Sequence, residues 1–308
     1  MKKHYFDAFN FSKRFASVEE KIVAYCPSSD ADCLLSEQKN TLIVLSWNVN
    51  KNNQSERWAK EFADIYVRYQ PDIICLQEAR LSALPSSTDQ PLAWSKPLQT
   101  LSSTAPIHAP IDAPIHASIH VPAQQMPLTR MSWCFAPNFE DAVEETYSGV
   151  LTLAAMPSTS SRGLLTAQTE PVTQTPKVSL LTEYDLMGRS LLVINTHLIN
   201  FVSPLIFQTQ LDQIEAAAIA HEGATILSGD FNTWSSGRLR RLKKMAARLG
   251  LSAAKFAPQD ARHIKRFLAS PSLDHIFCRG FKQNLLGAAV VSPVFSSDHR
   301  PLVIELSY

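Results

Sequence analysis

Along the chain, continuous apolar runs end in short polar exits, and the period of the apolar positions changes from run to run. Residues 41–50, TLIVLSWNVN, are apolar until the last few positions, the pattern of a strand buried on both faces. In SERWAKEFADIYVRY (55–69), Trp58, Phe62, Ile65, Tyr66 and Tyr69 recur at helical spacing behind Ser55, which is suited to cap a helix N-terminus. PDIICLQE (71–78) is a second buried run opened by a proline. Strand, helix and strand in succession predict an α/β layered domain.

The same alternation resumes after residue 130. MSWCFAP restores order, and YSGVLTLAAMP (147–157) reads as a strand. KVSLLTEYDL and RSLLVINTHL predict a hairpin around the Met187-Gly188 turn. SPLIFQTQLDQIEAAAIAHEG predicts a helix ending near Gly223. ATILSGDFNTW (224–234) is a strand with a polar exit, and a basic helix follows from near Ser235. Leu239, Leu242, Ala246 and Leu249 of that helix are expected to face the core, with Arg238, Arg240, Arg241, Lys243, Lys244 and Arg248 on solvent. SLDHIFCRG and the final strand PLVIELSY complete the set. Residues 1–40 are polar and weakly periodic, an expected N-terminal extension to a domain over 41–308.

Residues 82–130 interrupt the pattern. The near-repeat APIHAPIDAPIHASIHVPAQQMP is too rich in proline for a helix or a central strand. His108, His116 and His120 recur with Asp112 in the missing slot, but without a helix this period does not converge ligands on a point. The expectation is a flexible, partly polyproline-like loop inserted in the folded domain.

Composition adds bounds. The 308 residues are 45% hydrophobic and 19% charged, those of a soluble globular protein. With a net charge of +1, any attraction for a polyanion must come from a local patch. No run reaches a membrane span, and no signal-peptide core follows the basic N-terminus. The five cysteines show no zinc-like pairing, which favours a reducing cytoplasm. No protein partner can be inferred, and a monomer is expected.

Chemistry gathers at the ends of the apolar runs. Asn48 follows LIVLSW, Glu78 follows IICLQ, His197 follows LLVINT, and Asp230 and Asn232 follow ATILSG. Asp274 and His275 follow PSL, and Asp298 and His299 precede PLVIEL. A single acid or histidine at such a place is usually a cap or turn residue; six such places share one chemistry here. Carboxylates, asparagines and histidines without an activated Ser or Cys suit a hard divalent cation such as Mg²⁺, with Mn²⁺ as a substitute. Metal plus Asp and His is the equipment for phosphoester hydrolysis.

In order, SWNVN, PDIICLQE, INTHL, SGDFNTW, LDHIF and SSDHRPLVIE resemble the motifs of the endonuclease/exonuclease/phosphatase superfamily. WNVNKNNQSERW, SGVLTLAA, HLINF, GDFNTWSSGRL and LDHIFCRG are most similar to its bacterial YafD-like branch. The resemblance covers about residues 41–308 and excludes the proline-rich loop. It implies the DNase I-like fold, an α/β four-layer sandwich of two packed mixed sheets flanked by helices, with the site at one edge.

What the resemblance implies for the site is carried position by position. Glu78 matches the principal Mg²⁺ ligand, with Asn48 on the metal side. His197 matches a phosphate-contacting residue, Asp230 the acid that orients or activates water, and Asn232 its neighbour steadying phosphate and water. Asp298 and His299 match a paired Asp-His in which the histidine reaches the phosphate and the aspartate orients it or the metal. Asp274 matches the aspartate that supports that histidine. Two positions depart from the pattern. Asn50 stands where many relatives have Asp, and Ala154, Ala155 and Met156 replace a stretch that commonly supplies an arginine near substrate. Asn50, Trp234, Arg238 and Arg241 are the candidate substrate contacts, and nucleic acid is the expected substrate. The alternatives are a phospholipid or inositol-phosphate phosphoesterase and a catalytically silent binding protein on the same fold.

Overall fold

The structure is a computed structural model that describes residues 15–18, 22–25, 39–81 and 131–308. The proline-rich insertion and most of the expected N-terminal extension lie outside the described residues, as do Cys26 and Cys33.

Two mixed sheets dominate. The first runs in the spatial order β1 (Phe15–Ser17), β5 (Ser132–Asp141), β6 (Thr146–Ala154), β4 (Ile73–Leu81), β3 (Thr41–Asn48), β14 (Leu302–Ser307) and β13 (Lys282–Val290). Strand β2 (Val23–Tyr25) also pairs with β5. The second sheet is β11 (Ser252–Ala253), β12 (Asp274–Arg279), β10 (Ala224–Asp230), β9 (Arg189–His197), β8 (Val178–Leu186) and β7 (Ser158–Leu165). Among the described strands each sheet holds one parallel pair, β3 with β4 and β9 with β10. Helix α1 (Glu56–Tyr69) joins the first pair and α2 (Pro204–Ala218) the second. Helix α3 (Ser236–Arg248) and the short α4 (Pro258–Ala261) follow β10.

Alternation of side chains along the strands sorts the apolar residues into layers. On β3, Leu42 and Val44 turn inward to meet Leu191 and Val193 of β9 and Ile226 of β10, while Leu45 and Trp47 turn outward to α1. On β9, Leu192 and Ile194 face Phe207, Leu211 and Ile214 of α2 and Leu242 and Met245 of α3. The result is helix, sheet, sheet and helices in four layers. Helix α1 is fixed at both ends: Ser55 Oγ accepts the Trp58 N–H, and Gln70 closes the helix at φ 46°. Trp58, stacked between Trp47 and Phe62, is fully buried on the same face.

Between the sheets the apolar layer gives way to a polar one. Gln77 and Asn195, both fully buried, meet across the gap, with Gln77 Nε2 donating to Asn195 Oδ1 at 2.8 Å. Asn195 Nδ2 donates in turn to the Leu151 carbonyl at 2.9 Å. Gln77 Nε2 and both ends of the Asn195 amide are paired, although Gln77 Oε1 is not; a shift would orphan these groups too, so the contact fixes how the two sheets meet just below the strand exits.

The hairpin forms at Met187 and Gly188, both at positive φ, as expected of its turn. Strands β7 and β13 are not marked in the sequence; both are edge strands whose residues are largely partly or fully exposed and lack a clean alternation. Two strands, β1 and β2, come from the segment read as an extension. Cys75, Cys134 and Cys278 are buried thiols.

One close approach sets the spacing of β9 and β10. Gly229 has φ 148°, and a Cβ there would lie 1.9 Å from the Thr196 carbonyl oxygen. Gly229→Ala is expected to lose about 3 kcal/mol or more of stability, read as a lowered urea midpoint; an unchanged midpoint would refute this packing.

Candidate active site

The exits of the parallel strands meet at one rim of the inter-sheet layer. Asn48, His197, Asp230 and Asp274 stand at inward positions of β3, β9, β10 and β12, continuing the rows of Val44, Val193, Ile226 and Ile276. His197 and Asp230 are direct neighbours in the parallel register. Glu78 reaches the rim by another route. Simple alternation would put it outward with Ile74 and Leu76, but the β4–β6 register shifts between Leu76 and Ala79, and Glu78 takes φ 53°. That bulge turns its carboxylate toward β3 and β9.

The resulting contacts are close. Asn48 Nδ2 donates to Asp230 Oδ2 at 3.0 Å and lies 3.5 Å from Glu78 Oε1. His197 Nε2 is 3.8 Å from Glu78 Oε1 and 3.6 Å from Asp230 Oδ2. Asn232, at φ 49°, donates its backbone N–H to Asp230 Oδ1 and its amide to the Leu198 carbonyl. His299 Nδ1 donates to both oxygens of Asp274 at 2.9 Å, and its Nε2 points to Asp230 Oδ2 at 3.8 Å. Ser297 locks this side by donating to the Asn48 carbonyl at 2.6 Å and accepting the His299 N–H.

The two histidines differ in charge. Burial pushes His197 down to about 4, with Lys177 acting in the same direction against Asp230 and Glu78, so it is neutral at pH 7. Burial also opposes charge on His299, but Asp274, through its charge and hydrogen bond, and then Asp230 outweigh it and raise His299 to about 10. Burial pushes the Asp230 carboxyl up, with His299 and His197 pulling the other way. Burial acts likewise on Glu78, but His197, Lys177 and Lys51 together hold its carboxyl far below the usual range. Because His197 is neutral at pH 7, Lys177, Lys51 and the cationic His299 are the standing charges that act on Glu78.

Other expected residues sit differently. Asp298 is turned out, its side chain 55% exposed and paired with Lys265 at 2.5 Å, with an oxygen 4.0 Å from His299 Nε2. Asn50 is exposed and turns the backbone at φ 49°, its N–H held by Asn48 Oδ1. Arg241 bridges α3 to α2 through Gln208. Trp234 is partly buried, with its indole N–H on Asn200 Oδ1. Arg238, expected on solvent, is instead 4% exposed. It lies one turn from Leu242 on the buried face of α3, with its guanidinium 4.0 Å over the Phe207 ring and bonded to the Ile199 carbonyl. Burial lowers it to about 10. Pairing with aromatic faces is what lets an arginine occupy such a core position.

Three contributors carry no sequence signal beyond their residue type. Lys51 reaches Glu78 Oε2 at 3.6 Å from a loop at positive φ. Lys177, buried just before β8, pairs with Glu170 at 3.3 Å and acts on both Glu78 and His197. Ser297 serves only through its backbone partners.

The donor chemistry fits a divalent cation. Among the described residues, one possible ligand atom each from Asp230, Asp274 and His299 lie within 4.8 Å of one another, but a His299 kept cationic by Asp274 has no lone pair for a metal, so the carboxylates are the available donors. The carboxylates of Glu78 and Asp230 share the Asn48 amide as a neighbour, which brings hard oxygen donors together. Asn48 Oδ1 is taken by the Asn50 N–H, so in this arrangement its amide offers donors to that pair.

The sequence model of the endonuclease/exonuclease/phosphatase family matches residues 45–299. This chain belongs to that family. Its curated relatives include UPF0294 proteins, YafD-like bacterial proteins. One, from Vibrio vulnificus, is 34% identical over 162 residues, covering 52% of this chain and 54% of the relative. Another, from Yersinia enterocolitica, is 36% identical over 166 residues, covering 53% and 60%. The matched segment thus spans little more than half of each relative.

Solved structures at low identity share the DNase I-like fold. A family protein from Leptotrichia buccalis has a TM-score of 0.61 at 15% identity, covering 87% of this chain and all of that one. D. rerio TDP2 complexed with a single-strand DNA product has a TM-score of 0.54 at 15% identity, covering 88% and 100%. The human Nocturnin catalytic domain with bound sulfate has 0.55 at 17%, covering 88% and 96%. The family includes nucleases and phosphodiesterases, and its members typically use divalent metals.

The His299–Asp274 pair yields a signed pH dependence. A histidine raised by folding contributes stability that is full below its unfolded value near 6.5 and is lost as pH rises through about 10. In EDTA, Asp274→Asn is therefore expected to cost about 3 kcal/mol near pH 6, with the gap to the parent protein closing between pH 7 and 10.5. Urea unfolding across that range checks it, and a gap that widened with pH would contradict the assignment.

Proposed function

We propose that this chain is a divalent-metal-dependent phosphodiesterase acting on nucleic acid. The observation that carries the reading is the convergence of Glu78, Asp230, Asn232 and His197 with the His299–Asp274 pair at one rim. A silent scaffold has no physical need to bury two acids and two histidines in mutual contact, given the desolvation this costs.

Glu78, with Asn48 beside it and Asp298 at the mouth, would hold Mg²⁺ or Mn²⁺, which when bound neutralises phosphoryl oxygens and lowers the barrier to attack. The chain's own residues supply the remainder. Asp230, its carboxyl pushed up by burial, is the base that would orient and deprotonate water. Its second oxygen is pinned by the Asn232 N–H, which fixes the direction of that base. His299, kept cationic by Asp274, presents Nε2 to a developing phosphoryl charge. His197, neutral at pH 7, sits opposite as a neutral hydrogen-bonding imidazole.

The nucleic-acid reading draws support from the exposed Arg240, Lys243 and Lys244 on α3, directly after the Asp230 exit. A fold neighbour solved with single-strand DNA product is consistent with it. A phosphoester in a lipid headgroup is the second reading, favoured by Phe267, Leu268 and Phe295, exposed on the loops that lead to Asp274 and His299. No helix among the described residues is long and apolar enough to cross a membrane.

Purified protein with Mg²⁺ or Mn²⁺ should cleave plasmid, RNA or single-stranded oligonucleotides, and lose activity in EDTA. Asp230→Ala and His299→Ala should each lower kcat by about 100-fold or more. Cleavage that survives both substitutions, or turnover confined to sphingomyelin or inositol phosphates, would overturn the reading.

A further inference from the structure

Beside the rim, two aromatic rings are held where a substrate attached to the site would meet them. Phe201 follows His197 by four residues and Trp234 follows Asp230 by four. His197 and Asp230 are register partners, and a span of four residues keeps the Cα of Phe201 and of Trp234 within about 14 Å of the Cα of His197 and of Asp230 respectively. Their centroids are 6.4 Å apart and their planes 29° apart, a stacked pair. Phe201 nonetheless keeps 61% of its surface exposed.

The pair is rigidly built. Asn200 Oδ1 accepts both the Trp234 indole N–H at 2.8 Å and the Phe201 backbone N–H at 2.9 Å. The Asn200 N–H is held by Glu170, the partner of Lys177 beside Glu78. Arg238 lies 5.3 Å from the Trp234 ring and is anchored on the Ile199 carbonyl. Phe201 sits at φ 51°, a left-handed conformation that a bulky residue adopts only when its surroundings enforce it. Core packing does not account for a strained backbone that presents an aromatic ring to water. A planar ligand does: the free face of a stacked aromatic is what an unpaired nucleobase takes.

We propose that Phe201 and Trp234 form a stacking platform for an unpaired nucleobase flanking the phosphate at the site, which makes single-stranded nucleic acid the substrate class. The inference rests on the phosphodiesterase reading and names its substrate. A base in a duplex has both faces covered, so only an unstacked nucleotide can use the platform.

The test compares binding, in EDTA at low salt, of a fluorescein-labelled ten-residue oligothymidylate with a strand of the same length built from base-free tetrahydrofuran residues. Phe201→Ala should weaken the thymidylate complex by about 5- to 150-fold and the base-free complex far less. Phe201→Leu, which keeps the apolar bulk, should behave like the alanine variant, and Phe201→Trp should restore binding. Equal losses on both strands, or none, would overturn the platform. So would release of the alanine variant from phosphatidylserine vesicles with oligothymidylate binding unchanged, since that would make Phe201 a lipid contact. Cleavage separates this inference from the one beneath it. If the parent protein binds bases through Phe201 but cleaves no nucleic acid, the platform stands and the enzymatic reading fails. If it cleaves and Phe201→Ala discriminates bases as well as the parent does, the platform fails alone.

Discussion

The amide pair Gln77–Asn195 is the contact on which the rest of the arrangement depends. Apolar layers can slide, because their attraction has no direction. A fully buried hydrogen bond between two sheets cannot, since a shift leaves polar groups unpaired in the dry interior. With the sheets pinned there, the strand ends one step above arrive in a fixed relation. Asn48 and Glu78 come from one sheet, His197, Asp230 and Asp274 from the other, and their contacts run directly between strand ends.

That rigidity is what allows the two histidines to differ. Both are buried, and burial alone would neutralise both. His299 has a carboxylate of its own in Asp274, whereas His197 shares the diffuse field of Glu78 and Asp230 with the opposing cation Lys177. A shift of about an ångström would blur the distinction, because the energies involved fall with distance in a poorly screened space.

Much of this could be read from the sequence because period-two alternation carries directly into layers. The runs at Leu42–Leu45, Leu191–Ile194 and Ala224–Leu227 specify which residues face inward, and the polar residue ending each inward row becomes a site residue. What alternation could not supply was its own violation. Glu78 lies on the correct strand but would face the wrong side without the bulge, which no residue in IICLQEA signals; the motif resemblance, not periodicity, placed it. Arg238 failed in the opposite sense. A charged residue at a buried helical position reads as solvent-facing until Phe207 and Trp234, from other segments, supply the faces that receive it. Lys51 and Lys177 act through space from loops, where sequence spacing carries no geometric information.

The short strands β1 and β2 change what the first sheet presents along β5. Both pair antiparallel with β5, along successive stretches, Phe139–Asp141 and Trp133–Phe135. β5 would otherwise close its sheet with a row of unmet N–H and C=O groups beside apolar Trp133 and Phe135, a template for the same strand of another copy. Strands β1 and β2 therefore cover a reactive edge, meeting groups that would otherwise invite a second strand.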